Sequence, residues 1–212
     1  MIQLPPDATL LIIDVQQGFD DPCWGRRNNL GAEGNVARLL DAWRDASRPI
    51  IHVQHLSREE SSPLWPGQPG YAIKDEARPL PGEPVVRKSV NSAFIGTGLE
   101  ARLRAAGVTT LIIAGLTTDH CVSTTTRMAG NLGFTAYVVS DATATFDRAG
   151  PDGQHYDATT VHDLALVSLH GEFATVVTTA GLLMISPNTR HNRGRKAINA
   201  ARVTKVAPAT YE

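Results

Sequence analysis

The chain has 212 residues, 42% of them apolar, and a formal net charge of -1 at neutral pH. That length and apolar fraction suit one α/β sheet with helices on both faces, and the balanced charge argues against a nucleic-acid or membrane-surface partner. No apolar run is long enough to span a membrane, and the start, MIQLPPDATLLIIDVQ, lacks the basic region of a signal peptide, so the expected compartment is the reducing cytoplasm.

Residues 8–14 (ATLLIID) form a short apolar run ending in a carboxylate, the pattern of a buried parallel strand that opens onto a site. Residues 32–46 place Val36, Leu39, Leu40 and Trp43 on one helical face, and Pro49 stops that helix before a second strand at 50–55. The six prolines of 57–84 (Pro63, Pro66, Pro69, Pro79, Pro81 and Pro84) predict an extended loop, functional or mobile. A third strand at 85–89, a helix at 98–107 and a fourth strand at 108–115 follow, then a helix from about Thr118 to Asn131. A fifth strand at 135–142, a helix over 155–170 and a last strand at 173–179 complete the pattern. Strands alternating with helices imply right-handed crossovers and a mostly parallel sheet, with ligands bound beyond the carboxyl ends of the strands. Residues 1–185 read as a single domain. The basic segment 186–212 reads as an extension packed on its own or a neighbouring subunit, because the acidic remainder of the chain makes a nucleic-acid arm a poor fit.

Two cysteines, Cys23 and Cys121, cannot build a disulfide framework. Cys121 follows a strand and opens a helix in GLTTDHCVSTTTRMAG, among Thr117, Thr118, Asp119 and His120. A helix N-terminus offers unpaired N–H groups and partial positive charge, which favour a thiolate and can hold an oxyanion. The bland alternative is a small buried thiol beneath the sheet. Asp14 ends an apolar strand and is either a structural partner or a general base. Lys88 ends another strand, where Arg87 is an equal candidate by position; a lysine converging on Cys121 would stabilise its thiolate while the carboxylate moves the proton.

Taken together, LLIIDVQQGF, the lysine of VVRKSVNSAFIGTG, the cysteine of GLTTDHCVSTTT, and the DATATF and HGEFATVV stretches resemble the isochorismatase-like cysteine hydrolase family from about Leu10 to Thr179. The resemblance implies a Rossmann-like three-layer α/β sandwich with a six-stranded sheet. It also implies an Asp14–Lys88–Cys121 triad that hydrolyses through a thioester. A non-proline cis peptide at Leu116–Thr117 is implied too, directing the N–H groups of Thr117 and Cys121 at the oxyanion. True isochorismatases, which cleave a vinyl ether, lack the cysteine, so Cys121 favours an amide, ureido or imide bond of a small molecule. Nicotinamidases carry an Asp-x-His metal pair that VQHLSREESSPLWPG lacks. His52 and His55 stand three apart on a strand, on opposite faces, so neither a catalytic metal nor another cofactor is expected.

Phe19, His55, Trp65, Tyr71 and Phe94 are candidates for the substrate pocket or for loop packing. Cys23 reads as a plain loop thiol. His155, His162 and His170, seven and eight apart, read as a surface or interface stripe on one helix. The tail and an exposed apolar loop at Leu64, Trp65 and Tyr71 suggest a homodimer or homotetramer. Two other readings remain open: vinyl-ether hydrolysis without covalent catalysis, and a non-catalytic binding module on the same fold.

Overall fold

The structure is a computed structural model, and it describes residues 4–185. Its strands are β1 (Thr9–Ile13), β2 (Ile50–His55), β3 (Val85–Lys88), β4 (Thr110–Leu116), β5 (Thr135–Ala144), β6 (Arg148–Ala149), β7 (His155–Tyr156) and β8 (Thr175–Val177). Its α-helices are α1 (Ala32–Asp45), α2 (Leu99–Ala105), α3 (Ser123–Asn131), α4 (Ala158–Leu169) and α5 (Thr179–Ile185). Six strands join in the order β3-β2-β1-β4-β5-β8, every neighbouring pair parallel. β6 and β7 form a separate antiparallel pair.

Alternation along β1 explains the three layers. Leu11 and Ile13 point into a core shared with Leu99 and Leu103 of α2, Ala129 of α3, and Leu166 and Leu169 of α4. Leu10 and Ile12 point the other way, onto Val36, Leu39, Leu40 and Trp43 of α1 and Leu182 of α5. With both faces covered, β1 has no polar side to show, hence its unbroken TLLII. Leu39, Leu40 and Trp43 are fully buried, and each side chain contributes on the order of 2–3 kcal/mol by transfer from water. The Trp43 indole nitrogen stays satisfied by donating to the Ala8 carbonyl at 2.9 Å. Strand order reverses between β1 and β4, so a crevice opens at their carboxyl ends.

Several expected elements differ. The helix expected from 155 begins at Ala158, where Asp157 caps it by accepting from the Thr160 amide at 2.9 Å, while His155 lies in β7. His162 is buried and His170 stands past the helix end, so the three histidines form no stripe. The last strand shortens to Thr175–Val177, and Thr178 begins the turn into α5, which periodicity did not announce. Leu64 is buried against Phe19 and Leu116 instead of offering an exposed contact. The segment 186–212 lies outside the described residues.

The proline-rich loop is tied down. Gly70 and Gly18 approach so closely that a Cβ on Gly70 would stand 2.6 Å from the Gly18 Cα, so glycine is required there. Lys74, buried in that loop, donates to Asp20 at 2.5 Å and to Glu33 at 2.8 Å, and Arg27 grips Glu33 with both terminal nitrogens. Burial alone would raise the Glu33 pKa, but hydrogen bonds and charge from Arg27 and Lys74 outweigh it and hold the carboxyl at about 2. A depressed pKa contributes stability above the unfolded value of 4.5, lost as pH falls from there toward 2. Glu33→Gln is therefore expected to destabilise at pH 7 by on the order of 2–3 kcal/mol, a deficit that narrows below pH 4.5 and closes only near pH 2 in urea titrations. An equal deficit at both pH values would contradict this account.

Candidate active site

The carboxyl ends of β1, β3 and β4 bring Asp14, Lys88 and Cys121 together. Asp14 sits at φ 50°, a left-handed conformation that aspartate tolerates, with its amide donating to the Val53 carbonyl at 3.0 Å. Beside it, Gly115 has φ 124°, and a Cβ there would stand 2.0 Å from the Ile13 carbonyl oxygen. Only glycine lets β4 come this close to the end of β1. β3 is separated from β1 by β2, about 10 Å at the usual strand spacing. The long lysine stem covers that span. Strand alternation decides between the two basic candidates: Lys88 is buried, whereas Arg87 is exposed and donates to Gln54 at 3.4 Å.

The peptide Leu116–Thr117 is cis. After it, Thr118–Val122 form one π-helical turn that leads into α3, and Cys121 lies inside this turn. The turn is anchored from outside. Thr118 Oγ1 and His162 Nδ1 are 2.8 Å apart, and Asp119 accepts from Thr145 Oγ1 at 2.5 Å and from Arg148 Nε at 2.9 Å. These anchors were not anticipated, because Thr145 and Arg148 lie 26 and 29 residues from Asp119 with no motif to link them.

Lys88 Nζ donates to Asp14 Oδ2 at 2.5 Å and to Cys121 Sγ at 3.3 Å, and lies 3.1 Å from His55 Nδ1. Asp14 Oδ1 is buried with no hydrogen-bond partner. Burial raises the Asp14 pKa above the ordinary carboxylate value, with Lys88 opposing. Lys88 is pushed up, because the negative partners outweigh its own desolvation. Burial and the Asp14 charge also push the Cys121 thiol up, with Lys88 opposing. This upward push runs against the lowered thiol expected at a helix N-terminus, and the sulfur lies beside a carboxylate with one unpartnered oxygen. Ligand atoms of Asp14, His55 and Cys121 lie within 4.8 Å of one another, a donor set that could hold a metal ion. Here the Lys88 ammonium contacts all three groups and supplies the positive charge they attract.

The other candidates divide. His55 reaches Lys88, while His52, on the opposite face of β2, pairs with Glu83 at 2.9 Å. Phe19 stacks on Phe146 and lies tilted against Trp24 in a cluster that includes Leu116, one residue before Thr117. Phe94 is buried in the core against Phe134, at 6.0 Å between ring centroids, so it serves packing. Tyr71 offers its backbone carbonyl to Gln16 and Gln54, both at 2.9 Å, and half-buried Trp65 bonds within its own loop, its amide donating to the Ser62 carbonyl at 2.9 Å and its carbonyl accepting from the Gln68 amide at 2.8 Å. Cys23 is exposed in the turn Pro22–Trp24. Asn91 was missed: its Oδ1 lies 3.8 Å from Cys121 Sγ, and its place three residues beyond Lys88 was the available hint.

Known proteins resemble this chain over most of its length. Residues 8–181 match the model of the isochorismatase domain. YrdC, an isochorismatase family protein of Bacillus subtilis, is 49% identical over 174 residues, which cover 82% of this chain and 93% of YrdC. The ureidoacrylate amidohydrolase RutB of Methylobacterium radiotolerans is 29% identical over 191 residues, covering 73% of this chain and 72% of RutB. A crystal structure of a hydrolase of the isochorismatase family from Chromobacterium violaceum superposes with a TM-score of 0.84 at 46% identity, covering 87% of this chain and 96% of that one. Sequence, sheet order and the residues gathered at the strand ends thus agree that this chain belongs to the isochorismatase family of hydrolases.

Proposed function

We propose that the protein is a cysteine hydrolase that cleaves a carbon–nitrogen bond of a small amide, ureide or imide through a thioester on Cys121. The observation that carries this reading is the buried Lys88 ammonium held between the Asp14 carboxylate and the Cys121 sulfur. Asp14 takes the thiol proton on its idle oxygen as the sulfur attacks the acyl carbon, and Lys88 offsets the charge that develops on sulfur. The N–H groups of Thr117 and Cys121 receive the oxyanion. Protonated Asp14 then gives its proton to the departing nitrogen, leaving a thioester. Water attacks that thioester, with Asp14 as base, to release the acid and restore the thiol. The activity named for the amidohydrolase relative points the same way.

The test is ammonia or amine release from a panel of small amides, ureides and imides, with intact-protein mass spectrometry after rapid acid quench. Turnover with a transient acyl adduct on the peptide bearing Cys121 is the expected result. Hydrolysis without any adduct, in a Cys121→Ala protein as fast as in the native one, would overturn the covalent mechanism.

A further inference from the structure

Lys88 carries only N–H donors on its ammonium, and three acceptors surround it: Asp14 Oδ2, Cys121 Sγ and His55 Nδ1. A hydrogen on His55 Nδ1 would point at the ammonium, so Nδ1 accepts and the ring proton resides on Nε2. Nε2 makes no hydrogen bond among the described residues, and it is not among the buried atoms left without a partner. It is therefore an open donor on a ring that has one nitrogen within 4.8 Å of the Cys121 sulfur. The backbone behind the ring is fixed on both sides: the His55 amide donates to Gln16 Oε1 at 2.8 Å, and its carbonyl accepts from Gln16 Nε2 at 3.1 Å. Gln16 itself is fully buried.

We infer that His55 is a specificity residue, a tautomer-locked Nε2–H donor that reads a second carbonyl on the substrate and so selects imides and acylureas over simple amides. The inference rests on the hydrolase reading above. In an O=C–N–C=O group the attacked carbonyl occupies the oxyanion site, and the other carbonyl, across the nitrogen, is an acceptor that a simple amide lacks. Lys88 cannot serve that second oxygen, because its donors are taken. Burial and the Lys88 charge hold the His55 pKa down at about 4, so the ring stays neutral in ordinary buffers. A site built to donate to a substrate oxygen discriminates against the analogue without it, because the donor is then left unpaired.

The experiment compares succinimide with 2-pyrrolidinone, the same ring with one carbonyl fewer, on Cys121→Ala protein labelled with 15N at histidine. The His55 resonances, identified by their loss in His55→Asn, are expected to show the Nε2–H tautomer and to stay neutral down to about pH 5. Succinimide is expected to shift them and to bind about 10-fold or more tightly than 2-pyrrolidinone, a preference lost in the Cys121→Ala/His55→Asn protein. An Nδ1–H tautomer, an imidazolium at pH 7, or equal binding of the two rings would overturn the inference. Tight, His55-dependent succinimide binding by a protein that hydrolyses no panel compound would support the donor role and overturn the hydrolase reading instead.

Discussion

Cys121→Ala is expected to lower kcat/KM by about 10,000-fold or more while shifting the melting temperature by only a few degrees. The activity loss is large because the substitution removes the proposed nucleophile, and the remaining groups can only polarise the substrate toward water. The stability loss is small because the side chain loses one buried sulfur, and the π-helical turn is held through its neighbours, Thr118 on His162 and Asp119 on Thr145 and Arg148. Scanning calorimetry and progress curves on the preferred panel compound measure both quantities. Retained turnover in a native-like variant would instead favour ether-type hydrolysis without covalent catalysis.

Lys88→Met should be damaging in two ways. The methionine keeps much of the stem volume, so packing survives, but Asp14 is left as a buried carboxylate facing no cation. Breaking one side of a buried pair costs about 3–5 kcal/mol, unless the survivor neutralises itself by taking a proton. Asp14 already sits above the ordinary carboxylate value through burial, and Lys88 is the group that lowers it. Losing Lys88 therefore moves Asp14 further up. Because the base must be ionised to accept the thiol proton, activity falls as pH drops through the Asp14 pKa. The acid limb of kcat/KM should accordingly lie above the ordinary carboxylate range in the native protein and higher still in Lys88→Met. At neutral pH the variant should lose roughly 100- to 10,000-fold in kcat/KM. Adding Asp14→Asn should recover most of the lost stability and none of the activity, because it removes the stranded charge along with the base. A double variant no more stable than Lys88→Met would show that the stem, not the ion pair, holds this part of the fold.

The alternation of apolar runs with helical spacing was enough to expect a parallel sheet covered on both faces, and Leu10 to Ile13 pointing alternately into two cores is that pattern realised. The ordered Asp, Lys and Cys motifs were legible for the same local reason: each ends or follows a strand, and strand ends of such sheets line the ligand crevice. Position along the strand left Arg87 equal to Lys88, and only the family resemblance favoured the lysine, because a one-residue change of facing is set by which strand pairs with which, as in the His55–Lys88 register. The histidines show the same limit. His162 looked like one step of a surface stripe until α4 packed it against the turn bearing Cys121, and His55 became a partner of Lys88 because β2 lies between β3 and β1. The electrostatics were the least legible of all. A thiol near a helix start was expected to be acidic, yet burial and a carboxylate brought from over a hundred residues away push it up. Sequence spacing records which residue types are near one another along the chain; desolvation and Coulomb energies depend on distances across it, and those exist only once the sheet has closed.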